Sequence, residues 1–364
     1  MLILYDFEKY LKYMKLNKRK HDEVHTNIPS KKFKGELGLV SYTIPNGVTS
    51  IGKRAFEGCT NLTSITIPDS VTEISEEAFA GCRNLIHITI PGRITEIGYG
   101  AFHCCWGLTS IIIPNGVIEI RADAFSECKN LEVIVIPDSV TEIGCDAFAA
   151  CEKLTSFNIP NSVTKIGDDA FDGCTSLTSI TISDSVTEIG NRAFEDCHSL
   201  TSITIPNSVT EIGDDAFQGC RALKLLVVPD RLSIDNDLGI NEHTKIITHH
   251  DLNSYMTGLE LKGRYSLEQQ SMIYQLLHTD SPTLEQFKNL SPFIAPEDFM
   301  TIIRKLPEDK IPPHVLNIHR NLDMQTWNQI TKFLTFSDIA ATRASATKMF
   351  HGEIMDSLAK LRPH

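Results

Sequence analysis

The stretch Leu62-Thr63-Ser64-Ile65-Thr66-Ile67-Pro68-Asp69-Ser70-Val71-Thr72-Glu73-Ile74-Ser75-Glu76-Glu77-Ala78-Phe79-Ala80-Gly81-Cys82 decides the architecture, because it returns with small changes along half the chain. Phenylalanine stands at Phe56, Phe79, Phe102, Phe125, Phe148, Phe171, Phe194 and Phe217, always 23 positions apart. Cysteine follows three residues later each time, at Cys59, Cys82, Cys105, Cys128, Cys151, Cys174, Cys197 and Cys220. Proline marks the same register from Pro45 to Pro229, with Ser183 as the exception. A fixed period of this length is the mark of stacked coils, each too small to bury its own apolar face and therefore reiterated.

The chemistry of one unit follows from its shorter periods. Alternation about Ile65 and Ile67 turns apolar side chains inward and Ser/Thr outward, as a half-buried strand requires, and Pro68 ends it. Val71-Thr72-Glu73-Ile74 is too short for a helix and reads as a second brief extended segment. Gly52, Gly98, Gly144, Gly167, Gly190 and Gly213 follow it, where a chain reversal calls for positive φ. Between glycine and Phe56 the residues suggest one helical turn with Ala55 and Phe56 inward. The repeated cysteine, beside the inward Leu column, is expected to be a buried free thiol.

The 23-residue spacing, the Leu-x-x-Ile-x-Ile strand and the A-F-x-G-C segment resemble leucine-rich repeats of the bacterial BspA-like subclass, over about residues 41–234. That resemblance implies an α/β solenoid, a right-handed superhelix with short parallel strands, used to hold other proteins; many relatives are surface or secreted adhesins. It divides the chain into an N-terminal helix and basic linker at 1–40, the repeats at 41–234, and an all-α C-terminal domain at 245–364.

Composition narrows the function. The chain has 364 residues, 41 % of them hydrophobic, with 34 Lys+Arg against 46 Asp+Glu for a net charge of −12. An acidic chain is not built to neutralise phosphate, so nucleic acid is not the expected partner. No apolar run of about 18 residues exists, so no membrane partner is expected. Asp6, Glu8 and Lys9 interrupt the apolar start Met1 to Leu4, and no Cys-x-x-Cys occurs. The expected setting is therefore cytoplasmic with reduced thiols, either in the producing cell or in a host cell after delivery. No phosphate-binding loop, dinucleotide glycine pattern or nucleophile elbow is present, so we expect no enzyme activity and no cofactor. His103-Cys104-Cys105 and His249-His250 are dense in metal-binding types, but neither shows the spacing of structural zinc, and no metal is assigned.

Function must then lie on the outward positions. One strand row carries Ser64, His87, Ser110, Val133, Ser156, Ser179, Ser202 and Leu225; its neighbour carries Thr66, Thr89, Ile112, Val135, Asn158, Thr181, Thr204 and Val227. Ser and Thr suit a solvated strand, whereas Ile112, Val133 and Val135 offer apolar area to solvent, so these three with Asn158 are the candidate target-binding residues. A further row, Glu73, Glu96, Glu119, Glu142, Glu188 and Glu211 interrupted by Lys165, is either a solubilising edge or an acidic stripe for a basic partner. Residues 45–229 hold 11 Lys+Arg and 24 Asp+Glu, so the repeats carry the acidity.

The flanks read differently. Leu4, Phe7, Leu11 and Met14 recur at helical spacing, which predicts a short amphipathic helix over 2–16. Lys18-Arg19-Lys20 and Lys31-Lys32-Phe33-Lys34 are either a solvated basic linker or a two-part nuclear import signal. Towards the C-terminus, Ser266 with Gln269 forms a capping-box pattern ahead of Ile273 and Leu276. Between about 320 and 352, Leu322, Trp327, Ile330, Phe333, Leu334, Asp338 and Ile339 resemble an F-box, although Asp323 stands where that family has proline and Phe350 where it has tryptophan. That resemblance implies a Skp-type adaptor as partner, contacted by Leu322, Trp327, Ile330, Phe333, Leu334 and Ile339. A delivered effector joining a target to a cullin ubiquitin ligase is one reading; a scaffold or adhesion protein with a helical cap is the other.

Overall fold

The computed structural model describes residues 26–232, 237–259, 261, 263–278 and single positions between 294 and 306. The chain divides into two units, Met1–Ile246 and Ile247–His364.

In the first unit the Glu-Ile segments form nine two-residue strands, from Asn27–Ile28 and Ser50–Ile51 to Glu211–Ile212, paired in parallel in one sheet. Each residue pairs with the one 23 further on, as Glu142 does with Lys165 and Ile143 with Ile166. The isoleucines point inward and the acidic side chains outward, the alternation a two-residue strand imposes. A second row holds the longer strands, in which Ser41–Thr43 pairs with Ser64–Thr66, Ser110–Ile112 with Val133–Val135, Ser156–Asn158 with Ser179–Thr181, and Ser202–Thr204 with Leu225–Val228. The described part of the first unit is thus a parallel-strand solenoid of about nine turns.

The Phe column is the core. All eight rings are fully buried, and successive rings stack with centroids 5.3–5.7 Å apart. Burying each is worth about 1.5–3 kcal/mol, and each stacked pair adds about 0.5–1.5 kcal/mol. The cysteines are buried beside them as expected, and each thiol donates to the carbonyl of the Phe 26 residues earlier: Cys82 to Phe56 at 3.2 Å, Cys128 to Phe102 at 3.2 Å, Cys220 to Phe194 at 3.1 Å. A small apolar residue with one weak donor suits this place because it fills the gap and also ties one coil to the last.

The segment between glycine and phenylalanine is not a helical turn. Arg54, Glu77, Asp123, Asp146, Asp169, Arg192 and Asp215 adopt positive φ, as do Gly58, Gly81, Cys104, Glu127, Ala150, Gly173, Asp196 and Gly219 four residues later in each coil. These left-handed residues break a helix and aim N–H groups along the stack, so Arg54, Phe56 and Gly58 donate to Glu76, Ala78 and Ala80 of the next coil at 3.0, 2.8 and 2.7 Å. A helical turn would have spent those donors internally. The glycine before this segment does not take positive φ either; it permits close approach. A Cβ on Gly213 would lie 2.4 Å from the backbone nitrogen of Asn191, and one on Gly144 would lie 2.5 Å from that of Ala122.

The stack begins ahead of the expected boundary at 41. Phe33 stacks on Phe56 at 5.0 Å, and Lys31, Phe33 and Gly35 donate to Lys53, Ala55 and Glu57. Lys31-Lys32-Phe33-Lys34 therefore lies in the first coil instead of in a linker. At the other end Asp237 and Leu238 accept from Asp215 and Phe217, and Asn241 Nδ2 donates to the Cys220 carbonyl at 3.1 Å, so the last coil's ladder is also closed.

A strand, Lys245–Thr248, occupies the start of the region read as all-helical, in keeping with its β-branched Ile246-Ile247-Thr248. In the second unit α1, His249–Gly258, is capped reciprocally by Thr248 and Asp251. The helix α2, Leu267–His278, is capped by the Ser266 and Gln269 pair the sequence suggested, through bonds of 3.3 and 2.9 Å. Leu252 and Met256 of α1 and Ile273 and Leu276 of α2 are buried, and Tyr255 meets Tyr274 edge to face at 4.8 Å. The helix read over 2–16, the cluster Lys18-Arg19-Lys20 and the F-box-like segment with Leu322, Trp327, Ile330, Phe333, Leu334 and Ile339 lie outside the described residues.

Candidate protein-binding surface

The outward row of the longer strands carries the candidate site. Ile65, Ile111, Phe157 and Ile180 point into the core, while their neighbours on either side face out. Ile112 sits directly across from Val135, and Val133 across from Ser110. Ile112, Val133 and Val135 are exposed by 70 %, 56 % and 51 %, values that an isolated solvent face gives a hydroxyl and not a branched hydrocarbon. Asn158 is exposed as well, but its strand pairs with Ser179–Thr181, so the structure joins the three apolar residues and leaves Asn158 in the next strand pair. Ile118, which replaces the threonine of its own column, is a further exposed apolar residue of the same coil.

The same register tells what such residues do elsewhere. Leu225 and Val227 occupy the positions of Val133 and Val135 four repeats later, and they are 3 % and 0 % exposed. Apolar side chains at these two places are thus compatible with a covered face.

Charge is distributed unevenly. The Glu row faces solvent and is relieved at two points, where Arg121 Nε meets Glu96 at 2.6 Å and Lys165 meets Glu188 at 2.7 Å. On the turn side Asp169, Asp172 and Glu195 gather around Arg192, which reaches Asp169 at 3.0 Å, and Asp196 lies beside Asp172. Partial burial, with Glu195, Asp169 and Asp196 close by, pushes the Asp172 carboxyl up to about 6. Asp146 is likewise pushed up to about 6 by burial and by Asp123 and Asp169.

All ten cysteines are free. Burial pushes the Cys59 thiol up to about 11 and those of Cys151 and Cys220 up to about 12, which keeps them protonated and unreactive. Outside the column, His103, Cys104 and Glu127 form a group whose ligand atoms lie within 4.8 Å of one another. Reading along the chain missed Glu127, although it stands 23 residues after Cys104 and the period places it one coil on.

Comparison with known proteins fixes the lineage of these coils. Residues 26–155 and 141–250 match the BspA type leucine rich repeat region, in six copies. The chain belongs to that family. As a BspA type repeat protein it is similar to a leucine rich repeat protein of T. pallidum, at 32 % identity over 53 % of this chain and 80 % of that one, with a TM-score of 0.43. A leucine rich cell surface protein from Faecalibacterium prausnitzii is 30 % identical over 62 % and 76 % of the two chains, with a TM-score of 0.34. A leucine-rich repeat protein from Eubacterium ventriosum is 27 % identical over 61 % and 63 %, with a TM-score of 0.42. No curated protein matches the chain. Among the described residues no helix is long and apolar enough to cross a membrane.

Proposed function

We propose that this BspA type solenoid is a protein-binding scaffold whose docking face is centred on Ile112, Val133 and Val135. The observation that carries the reading is the contrast in register: Leu225 and Val227 are covered within the chain, while Val133 and Val135, in the same outward places, are bare. The partner that fits presents an apolar segment to this patch and basic residues beyond it, because the repeats around it are strongly acidic. Restoring the repeat pattern with Ile112→Thr, Val133→Ser and Val135→Thr is the test. Capture from a eukaryotic lysate by the full chain is expected to lose its main partner in the triple variant and to weaken with added salt. Identical capture by both proteins overturns the assignment.

The C-terminal segment supports a finer version of the same function. The F-box-like pattern of Leu322, Trp327, Ile330, Phe333, Leu334 and Ile339 favours recruitment of a Skp-type adaptor, which makes the chain a substrate receptor delivered into a host cell. Co-purification of a Skp-type protein with the full chain, abolished by Leu334→Asp with the repeats intact, is the expected result. Absence of co-purification leaves the plain scaffold or adhesion reading.

A further inference from the structure

The cluster on the turn side of the Phe102 and Phe125 coils has a chemistry that the apolar face does not use. His103 Nε2 and Cys104 Sγ are 3.3 Å apart, and a carboxylate oxygen of Glu127 lies within 4.8 Å of both ligand atoms. A tetrahedral zinc ion, with sulfur at about 2.3 Å and nitrogen at about 2.0–2.1 Å, holds those two atoms about 3.5 Å apart. Glu127, half-buried like the other two, supplies the third ligand.

The backbone holds the three residues rigidly. Cys104 N–H donates to the Ser126 carbonyl at 2.9 Å, His103 N–H to Gly100 at 3.0 Å, and the His103 carbonyl accepts from Gly81 at 2.7 Å. Cys104 and Glu127 both take left-handed φ, 57° and 56°, in a column that is glycine at Gly35, Gly58, Gly81, Gly173 and Gly219. Ala150 and Asp196 share that conformation in later coils, so the left-handed place fixes where the side chains leave the backbone, and the residue types at 103, 104 and 127 carry the chemistry. His103 Nε2 is in hydrogen-bond contact with the Cys104 sulfur, so the ring already points its ligand nitrogen at the thiol, while Nδ1 is buried on the far side without a partner.

We propose that His103, Cys104 and Glu127 form a site for a zinc-class transition-metal ion that clips two adjacent coils together. The mixed nitrogen, sulfur and oxygen set suits a borderline ion and excludes calcium and magnesium, which take oxygen ligands. Three protein ligands leave a fourth position open to water or to a side chain of a bound partner. Binding exchanges the thiol proton of Cys104 for the metal and releases it to solvent.

Cobalt(II) reports the thiolate directly. The full chain, reduced and freed of metal, is titrated with Co2+. One equivalent should raise a saturable near-ultraviolet thiolate-to-cobalt band, and Zn2+ should bleach it. Cys104→Ser should abolish the band. His103→Gln and Glu127→Gln should each weaken Co2+ binding by at least the about 10–100-fold that loss of even an outer partner costs, with unchanged circular dichroism. Cys145→Ser, which removes the exposed cysteine outside the column, should change nothing. The site is overturned if the parent shows no band, if the band survives Cys104→Ser, if Cys145→Ser removes it, or if both His103→Gln and Glu127→Gln bind as tightly as the parent.

Discussion

The coils of Phe102 and Phe125 and those of Phe171 and Phe194 share one backbone, 69 residues apart, and differ in nearly every outward side chain. Where the first pair has Ile112, Val133 and Val135, the second has Thr181, Ser202 and Thr204; where the first has His103, Cys104 and Glu127, the second has Asp172, Gly173 and Asp196. Inside, both keep buried Phe, Cys and Leu with the same stacking and the same thiol bonds, 3.2 Å from Cys128 to Phe102 and 3.3 Å from Cys197 to Phe171. The difference teaches that the scaffold fixes position and leaves chemistry free. One stretch carries apolar residues and residue types that can hold a metal, and the other is an acidic ridge.

The comparison can be broken first at the shared core. Phe125→Ala and Phe194→Ala should each cost about 3–5 kcal/mol in denaturant unfolding, equally in both regions; a large inequality would mean that the coils do not share one packing. The next effect tests covered against bare apolar places. Leu225→Ser with Val227→Thr should cost about 2–4 kcal/mol, because hydroxyls replace hydrocarbon in a buried site. Val133→Ser with Val135→Thr should change stability by no more than about 0.5 kcal/mol. Comparable losses in the two double variants would show that Val133 and Val135 are not free for a partner.

Smaller effects sharpen the contrast. Cys128→Ala and Cys197→Ala should each lose about 1 kcal/mol by calorimetric melting, since the Phe carbonyl keeps its backbone donor, as Phe102 keeps Cys105 N–H at 3.1 Å. Asp172→Asn belongs to the acidic region alone. Because folding raises the Asp172 pKa to about 6, the folded state holds its proton more tightly, and the parent loses stability as pH rises from the ordinary carboxylate range through about 6. The variant should therefore match the parent near about pH 4 and exceed it at neutral pH by no more than about 1 kcal/mol, screening being strong at a half-exposed group.

The period made the solenoid legible, since Phe, Cys and Pro columns state the stacking without any structure. It also placed Ile112, Val133 and Val135 side by side on one face. What the sequence hid was local backbone. Arg54, Asp123 and Asp169 look like ordinary helix-turn residues, yet the ladder to the next coil forces them left-handed. Phe33 was obscured by its lysine neighbours and by Glu36 in the cysteine column, although it lies 23 residues before Phe56. Glu127 was missed because ligands were sought at short spacings along the chain, whereas the fold makes position 127 the nearest neighbour of position 104. The F-box-like resemblance rests on residues beyond the described ones and stays a matter for the adaptor experiment.

The ladder that ties each coil to the next at a fixed spacing has an evolutionary corollary. Excising or duplicating one whole coil leaves every column in phase, whereas removing a single residue would put the coil that loses it out of phase with both neighbours. Inserting a coil between the apolar stretch and the acidic ridge would move them apart by one strand spacing, about 4.8 Å. Such a chain can change its reach in fixed steps, as a ruler gains or loses graduations, while leaving each contact surface unchanged.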